Sequence, residues 1–282
     1  MPEPTLPLVL EFIEADTAGM LRAERETVEV RPFLAAFHRT SDMIWMNYAV
    51  PIASTDDAAA VRSALPRLQA EFERRNRTLR FEYLAARHPA LAAELERLGL
   101  SLQVSAPLMF CTPANVRSFP PQGFDLHRLQ ASPQPPAGRS TSTANSSDAD
   151  LTDFLRVGKL SFGAEESTAA VEPHEIDELR EALRRNRWRC ALARADGAAV
   201  GVGTFCTGNS ELAGVGTLPA FRRKGIAAAL SSALLAEHFA AGGGRAWLSA
   251  ADHVARALYA KIGFQDAGVQ LNYMAGEPLR AP

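Results

Sequence analysis

The stretch from Gly214 to Leu230, GVGTLPAFRRKGIAAAL, sets three consecutive cations, Arg222, Arg223 and Lys224, and one glycine, Gly225, between an apolar strand-like run and an alanine-rich helix. The first N–H groups of a helix have no internal partner and carry the positive end of its dipole, so a helix start attracts an anion. Cations there add charge, and a glycine lets a phosphate reach the backbone without meeting a Cβ. The combination suits a pyrophosphate. A charge run alone more often means solvated side chains in a loop; the position at a strand–helix junction is what favours an anion site.

The elements that must hold this junction can be read around it. Strands are expected at 124–129, 188–195, 199–207, 211–218, 245–250 and 264–274, and helices at 151–162, 173–186, 225–240 and 252–261. Asp196-Gly197 marks a hairpin turn between two of the strands. In helix 225–240, Ile226, Ala229, Leu230, Ala233 and Leu234 share one face, and Gly242-Gly243-Gly244 ends it as a stop signal rather than a phosphate loop. Hairpins followed by strand–helix–strand units imply a mixed sheet with helices on both faces. The prolines of Thr112 to Gln122 put a domain boundary near residue 118, giving domains 1–118 and 119–282. Ala131 to Asp150, rich in Ser, Thr, Pro and Ala, reads as a long flexible loop within the second.

The chain's bulk properties confine the function. At 282 residues it has room for two cores, and 47% hydrophobic with 22% charged residues is an ordinary globular balance. A net charge of -2 offers no overall field for nucleic acid or an anionic membrane, so any positive site must be local. Met1-Pro2-Glu3-Pro4 opens no leader pattern and no eighteen apolar residues run together, which leads to the expectation of a cytoplasmic protein. Cys111, Cys190 and Cys206 are scattered without CxxC spacing, and His174-Glu175 has no second histidine at metal-binding spacing, so no metal site is expected.

Arg222-Arg223-Lys224-Gly225-Ile226-Ala227 resembles the acetyl-coenzyme A loop, Gln/Arg-x-x-Gly-x-Gly/Ala, of the GCN5-related N-acetyltransferases (GNAT). Thr217-Leu218-Pro219 resembles the Val-x-Pro strand end that precedes it. In residues 251–264, Ala255, Leu258, Tyr259, Lys261, Gly263 and Phe264 resemble that family's later Ala-x-x-Leu-Tyr-x-Lys-x-Gly-Phe. The likeness covers about residues 124 to 274. It departs at Arg223, where glycine is usual, and at Asp252, where asparagine is usual. The resemblance implies an α+β fold and direct transfer of an acetyl group from acetyl-coenzyme A, as co-substrate, to a primary amine of a small molecule. Thr217 and Leu218 would bond pantetheine through their backbone beside Pro219, and the start of the helix at Ile226, Ala227 and Ala228 would face pyrophosphate. Asp252 would lie near the cofactor. Tyr259 matches the tyrosine that protonates the coenzyme A sulfur; the other reading is an amphipathic core tyrosine. Glu211, eleven residues before Arg222, resembles the general-base glutamate of histone-acetylating members; a solvated hairpin glutamate, with water or another base, is the alternative.

An internal repeat extends the likeness. Pro51 of MIWMNYAVP aligns with Pro219 at a shift of 168, and Gly99 with Gly263 at a shift of 164. This implies two tandem GNAT-like domains, each a mixed, mostly antiparallel sheet flanked by helices, as in tandem acetyltransferases. The first copy is degenerate: Ile52-Ala53-Ser54-Thr55-Asp56-Asp57 has no glycine, Leu95 falls under Tyr259 and Met43 under Glu211, so it should not bind coenzyme A. Trp45, Tyr48, Phe81 and Tyr83 could wall an acceptor cleft, though aromatic residues on strands are more often core. The whole would then be a monomer with a pseudo-dimer of domains, or a homodimer. A non-catalytic acyl-coenzyme A sensor, or acetylation of a peptide amine, are the other readings; transfer from aminoacyl-tRNA would need a basic surface that the charge balance does not advertise.

Overall fold

The computed structural model describes residues 5–131 and 146–276. Among these, the elements of the first half are α1 (Leu6–Glu24), β1 (Glu26–Val30), β2 (Phe33–Phe37), β3 (Tyr48–Pro51), α2 (Ala58–Glu73), β4 (Arg80–Leu84), α3 (Leu91–Arg97) and β5 (Leu100–Cys111). There follow β6 (Asp125–Leu129), α4 (Asp148–Ser161), α5 (Pro173–Arg184), β7 (Trp188–Ala195), β8 (Ala198–Cys206), β9 (Glu211–Thr217), α6 (Ile226–Ala240), β10 (Ala246–Ser249), α7 (His253–Ile262) and β11 (Gln265–Ala275). Single 3-10 turns lie at Ile44–Met46 and Pro219–Phe221. The architecture is α+β with mixed, mostly antiparallel sheets, as expected. No helix among the described residues is long and apolar enough to cross a membrane.

Two compact units divide the chain. The first takes the residues up to Phe110, Ser249–Arg256 and the chain from Asp266 onward; the second takes Cys111–Leu248 and Ala257–Gln265. These units are not collinear with domains 1–118 and 119–282. The proline-bearing stretch packs into the second unit, where the Phe119 N–H donates to Ser232 Oγ (3.1 Å) and the Arg117 N–H to the Ile262 carbonyl (2.8 Å). The last strand, β11, belongs to the first.

In the first unit the strand order is β1-β2-β3-β4-β11-β5. β1/β2, β2/β3 and β4/β11 are antiparallel, the last in register from Gln270↔Leu84 to Met274↔Arg80, and β3/β4 is parallel at Ala49↔Phe81. The run Phe-Leu-Ala-Ala-Phe of β2 is apolar throughout because both of its faces are covered. Phe33, Ala35 and Phe37 pack with Val61, Leu68 and Phe72 of α2. The alternate residues, Leu34 and Ala36, pack with Ala18 and Leu21 of α1. Tyr48, Phe81 and Tyr83 are core residues, while Trp45 on its 3-10 turn is 59% exposed. α2 starts from Asp57, whose Oδ1 accepts from the N–H groups of Ala59 (2.9 Å) and Ala60 (3.3 Å).

The second unit orders its strands β10-β9-β8-β7-β6. All neighbours are antiparallel except β9/β10. Asp196 and Gly197, at φ 48° and 80°, turn β7 into β8. One face packs Leu151, Phe154 and Val157 of α4 and Leu179 and Leu183 of α5 on Leu129, Cys190, Leu192 and Val202. On the other face α6 lies close against β8, because Gly201 and Gly203 offer no side chain: a Cβ on Gly201 would stand 2.5 Å from Ile226 Cγ2, and one on Gly203 3.1 Å from Leu234 Cδ1. α4 starts three residues earlier than the sequence suggests. Ser147 Oγ accepts from the Asp150 N–H (3.1 Å) while the Asp150 carboxylate accepts from the Ser147 N–H (3.2 Å), a reciprocal cap. That fixes the end of the expected 131–150 loop; its residues 132–145 lie outside the described residues.

Candidate active site

The junction between β9 and α6 is built on a strand with one committed edge. β9 pairs with β8 from Cys206↔Glu211 to Gly201↔Thr217, with a register shift between Val202 and Thr204 opposite Gly214, which sits at φ 58°. Such a bulge re-aims the strand and leaves an extra residue out of the ladder. Towards β10 the register holds only Trp247↔Glu211, at the start of both parallel strands. Beyond it, among the described residues, the β10-side edge of β9 out to Thr217 is not taken by that ladder. Backbone N–H and C=O groups on such an edge need partners.

At the end of β9 the Leu218 N–H donates to the Val200 carbonyl (2.9 Å), and the Pro219–Phe221 turn follows. Arg222 Nε donates to the Thr217 carbonyl (3.3 Å), which folds its guanidinium back over the strand end. Lys224 Nζ stands 4.9 Å from the centroid of the Phe221 ring. Arg222, Arg223, Lys224 and Gly225 are all exposed. Gly225 is the N-cap of α6 at φ 80°, ψ 0°, a left-handed conformation, and no side chain caps the helix. The Ala229 N–H closes the first helical turn on the Gly225 carbonyl (3.0 Å), so the N–H groups of Ile226, Ala227 and Ala228 precede any intrahelical partner. The side chains of Ile226 and Ala228 are 2% and 4% exposed. They anchor the helix, and only their backbone can face an anion. Arg223 also sits at a positive φ, 63°. The position where the family pattern has glycine is therefore one whose backbone asks for it.

Tyr259 lies on α7 in the same unit. Its ring meets Phe264 edge-on, with centroids 5.7 Å apart at 71°. Burial pushes its phenol up to about 12, so it stays protonated across the neutral range. The helix ends at Gly263, φ 114°, where a Cβ would meet the Asn115 carbonyl oxygen at 1.9 Å; no other residue type fits. Glu211, at the far end of β9 from the junction, is half-buried and accepts from Asn209 Nδ2 (3.0 Å). Asn209 is in turn fixed by its carbonyl, which accepts from Trp247 Nε1 (2.7 Å). Six strand steps separate Glu211 from Thr217, roughly 20 Å at about 3.3 Å per residue.

Asp252 has a local partner. It belongs to the first unit, and its Oδ1 accepts from the Ala255 N–H (2.7 Å), so its carboxylate is used as the cap of α7. Cys111 and Cys190 are poor nucleophiles, because burial pushes their thiols up to about 12. The supporting residues that the motif reading passed over are Gly201, Gly203, Gly216 and Asn209. A Cβ on Gly216 would stand 2.6 Å from Ser161 Cβ, so this glycine seats α4 on β9. Their signal is the alternation Gly201-x-Gly203 and Gly214-x-Gly216 on strands that helices must approach.

Residues 159–264 match the family model of the acetyltransferase (GNAT) family. No curated protein matches the chain. Among solved structures, a GCN5-related N-acetyltransferase from Kribbella flavida is 21% identical, with 95% of each chain covered and a TM-score of 0.73. A GCN5-related N-acetyltransferase from Sphaerobacter thermophilus is 15% identical over 98% of this chain and 94% of its own, with a TM-score of 0.62. A tandem GNAT protein from the clavulanic acid biosynthesis pathway is 14% identical over 98% and 96%, with a TM-score of 0.58. At these identities the structures speak for the fold, and the matched domain speaks for acyl transfer as the chemistry of its family. Residues 159–264 thus form a domain matched by the acetyltransferase (GNAT) family, on a chain whose fold is that of GCN5-related N-acetyltransferase structures.

Proposed function

We propose that the protein is an acetyl-coenzyme A-dependent N-acetyltransferase acting in the cytoplasm on a primary amine of a small molecule. The observation that carries this reading is the uncapped start of α6, led by Gly225 and flanked by Arg222, Arg223 and Lys224, beside a β9 edge left open by β10. Pyrophosphate would be held by the N–H groups of Ile226, Ala227 and Ala228 and by the three cations. The two amides of the pantetheine arm would bond the free edge of β9 near Thr217 and Leu218, pointing the thioester along the strand towards Glu211. Tyr259 is suited to give its proton to the departing sulfur, since a phenol pushed up to about 12 by burial carries its proton throughout the neutral range and is there to donate as the carbon–sulfur bond breaks. Glu211 is suited to take the proton that the neutral amine sheds as it attacks. In balance, the amine nitrogen bonds to the thioester carbon, the carbon–sulfur bond breaks, one proton passes to Glu211 and one passes from Tyr259 to sulfur.

We also read the first unit as a degenerate copy of the same fold. The series β3-α2-β4-α3-β5 has the order of β9-α6-β10-α7-β11, and each contains one parallel pair, β3/β4 and β9/β10. Gly99 after α3 and Gly263 after α7 both have positive φ. The chemistry differs: Leu95 is fully buried, Met43 is 43% exposed on its loop, and the start of α2 is already occupied by the Asp57 carboxylate. The reading is tested by mixing the protein with acetyl-coenzyme A and a panel of small amines and following free thiol. Thiol release with at least one amine class is expected. Calorimetric binding of acetyl-coenzyme A without thiol release from any class would refute turnover, and no binding at all would refute the site.

A further inference from the structure

On the opposite side of the second unit's strand order from β9, two arginines share too little negative charge. The β6/β7 register sets Arg128 opposite Ala191, so Arg189, two residues away, is its diagonal neighbour on the same face, about 7–8 Å off. Like charges so placed repel. One carboxylate, Glu237 on α6, meets both: it pairs with Arg128 Nη2, and its Oε1 lies 3.6 Å from Arg189 Nε. The cations are the more buried partners, with side chains 26% and 14% exposed against 45% for Glu237. A largely exposed carboxylate is a weak counter-ion for guanidinium groups held out of water. In each arginine, Nη1 is buried with no hydrogen-bond partner among the described residues. Residues 132–145, which follow this edge in sequence, contain no Asp or Glu that could supply the missing charge. Burial, with repulsion from Arg189 added, pushes the Arg128 guanidinium down to about 10.

The pair borders a cavity of about 320 Å³, lined also by Glu237, Trp188, Leu183 and Asn186. Arginine's planar fork matches the oxygens of a carboxylate or phosphate, and an indole with a leucine gives an apolar wall beside it. We infer that this cavity is a binding site for a small organic oxyanion, its charged end between Arg128 and Arg189 and its apolar body against Trp188 and Leu183. None of the residues of the β9–α6 junction lines it, so the site would act separately from the transfer reaction.

The test is calorimetric titration of the full-length protein with benzoate and with inorganic phosphate at low ionic strength. Saturable binding of one or both probes is expected, and the tighter one identifies the oxyanion. Arg189→Gln should weaken it at least about tenfold, while Glu237→Gln, which removes the competing carboxylate, should tighten it about threefold or more. Both variants should bind acetyl-coenzyme A as the parent does, with thermal melts reporting that they are folded. A purely structural ion pair would lose stability in Glu237→Gln without gaining anion affinity. That result, or the absence of saturable heat in both the parent and Glu237→Gln up to about 10 mM probe, would overturn the inference.

Discussion

Replacing Gly225 by aspartate turns the start of α6 into what the start of α2 already is. In α2 the Asp57 carboxylate accepts from two N–H groups, those of Ala59 and Ala60, at 2.9 and 3.3 Å. The same positions in α6 are Ala227 and Ala228. The stability change works out small: a side chain held at φ 80° costs about 1 kcal/mol, a carboxylate at a helix start returns about 0.3–1 kcal/mol, and a Cβ at Gly225 meets nothing within 4 Å. The melting temperature should move by less than about 4 °C. Affinity is another matter, because two hydrogen bonds to a charged phosphate, each about 1.5–3 kcal/mol, are lost to the protein's own carboxylate. That is about 3–6 kcal/mol, or roughly a hundredfold to ten-thousandfold in Kd for acetyl-coenzyme A. Gly225→Ala is the control: the same backbone strain, no carboxylate, and a Kd within about tenfold of the parent. Calorimetric titration with acetyl-coenzyme A, paired with thermal melts, reads both quantities. A folded Gly225→Asp protein with a Kd within about threefold of the parent would refute the reasoning.

Tyr259→Phe keeps the edge-on contact with Phe264 and removes only the hydroxyl, so kcat should fall about a hundredfold with an unchanged melting temperature. Because burial raises the phenol from 10 to about 12, kcat of the parent should show no descending limb below about pH 10; a limb near pH 8 would exclude this group as the acid. The folded chain holds that proton longer than the unfolded chain, so the stability tied to it is full below pH 10 and drains away between about 10 and 12, and the Phe variant should lose less over that window. Arg223→Gly, at φ 63°, should raise stability by about 1 kcal/mol while weakening acetyl-coenzyme A by a few fold, two effects of opposite sign in one variant. Gly263→Ala should cost about 3 kcal/mol or more because of the Asn115 carbonyl 1.9 Å from its Cβ, whereas Gly99→Ala, with open space around it, should cost about 1 kcal/mol in urea melts.

The second unit's elements were legible because their signals are local. The Asp196-Gly197 turn, the apolar stripe of α6 and the glycine stop after it each speak through a few neighbouring residues. So was the junction, whose cations and glycine are contiguous in sequence. What sequence periodicity could not carry was pairing at a distance. β11 reads like any last strand of a domain, and only its register with β4, nearly two hundred residues away, assigns it to the first unit. Asp252 shows the same limit at the scale of a side chain: its place in a motif suggested a ligand, while its carboxylate is spent on the N–H three residues on. The glycines of β8 and β9 were visible but silent, since their meaning lies in which helix crosses them. In Asp57, by contrast, the acid read where phosphate would sit is found holding two N–H groups on one carboxylate oxygen.

That the first unit takes its penultimate-position strand, β11 between β4 and β5, from the far end of the chain bears on how the protein is made. A ribosome releases β4 and β5 long before Asp266 to Ala275 emerge; at roughly 5–20 residues per second the interval is about ten to thirty seconds. During it the edges of β4 and β5 that β11 will join stand open, the kind of edge that pairs with whatever strand arrives first. The first unit, although it begins earlier in the sequence, is thus completed only once β11 has emerged, after every strand of the second unit.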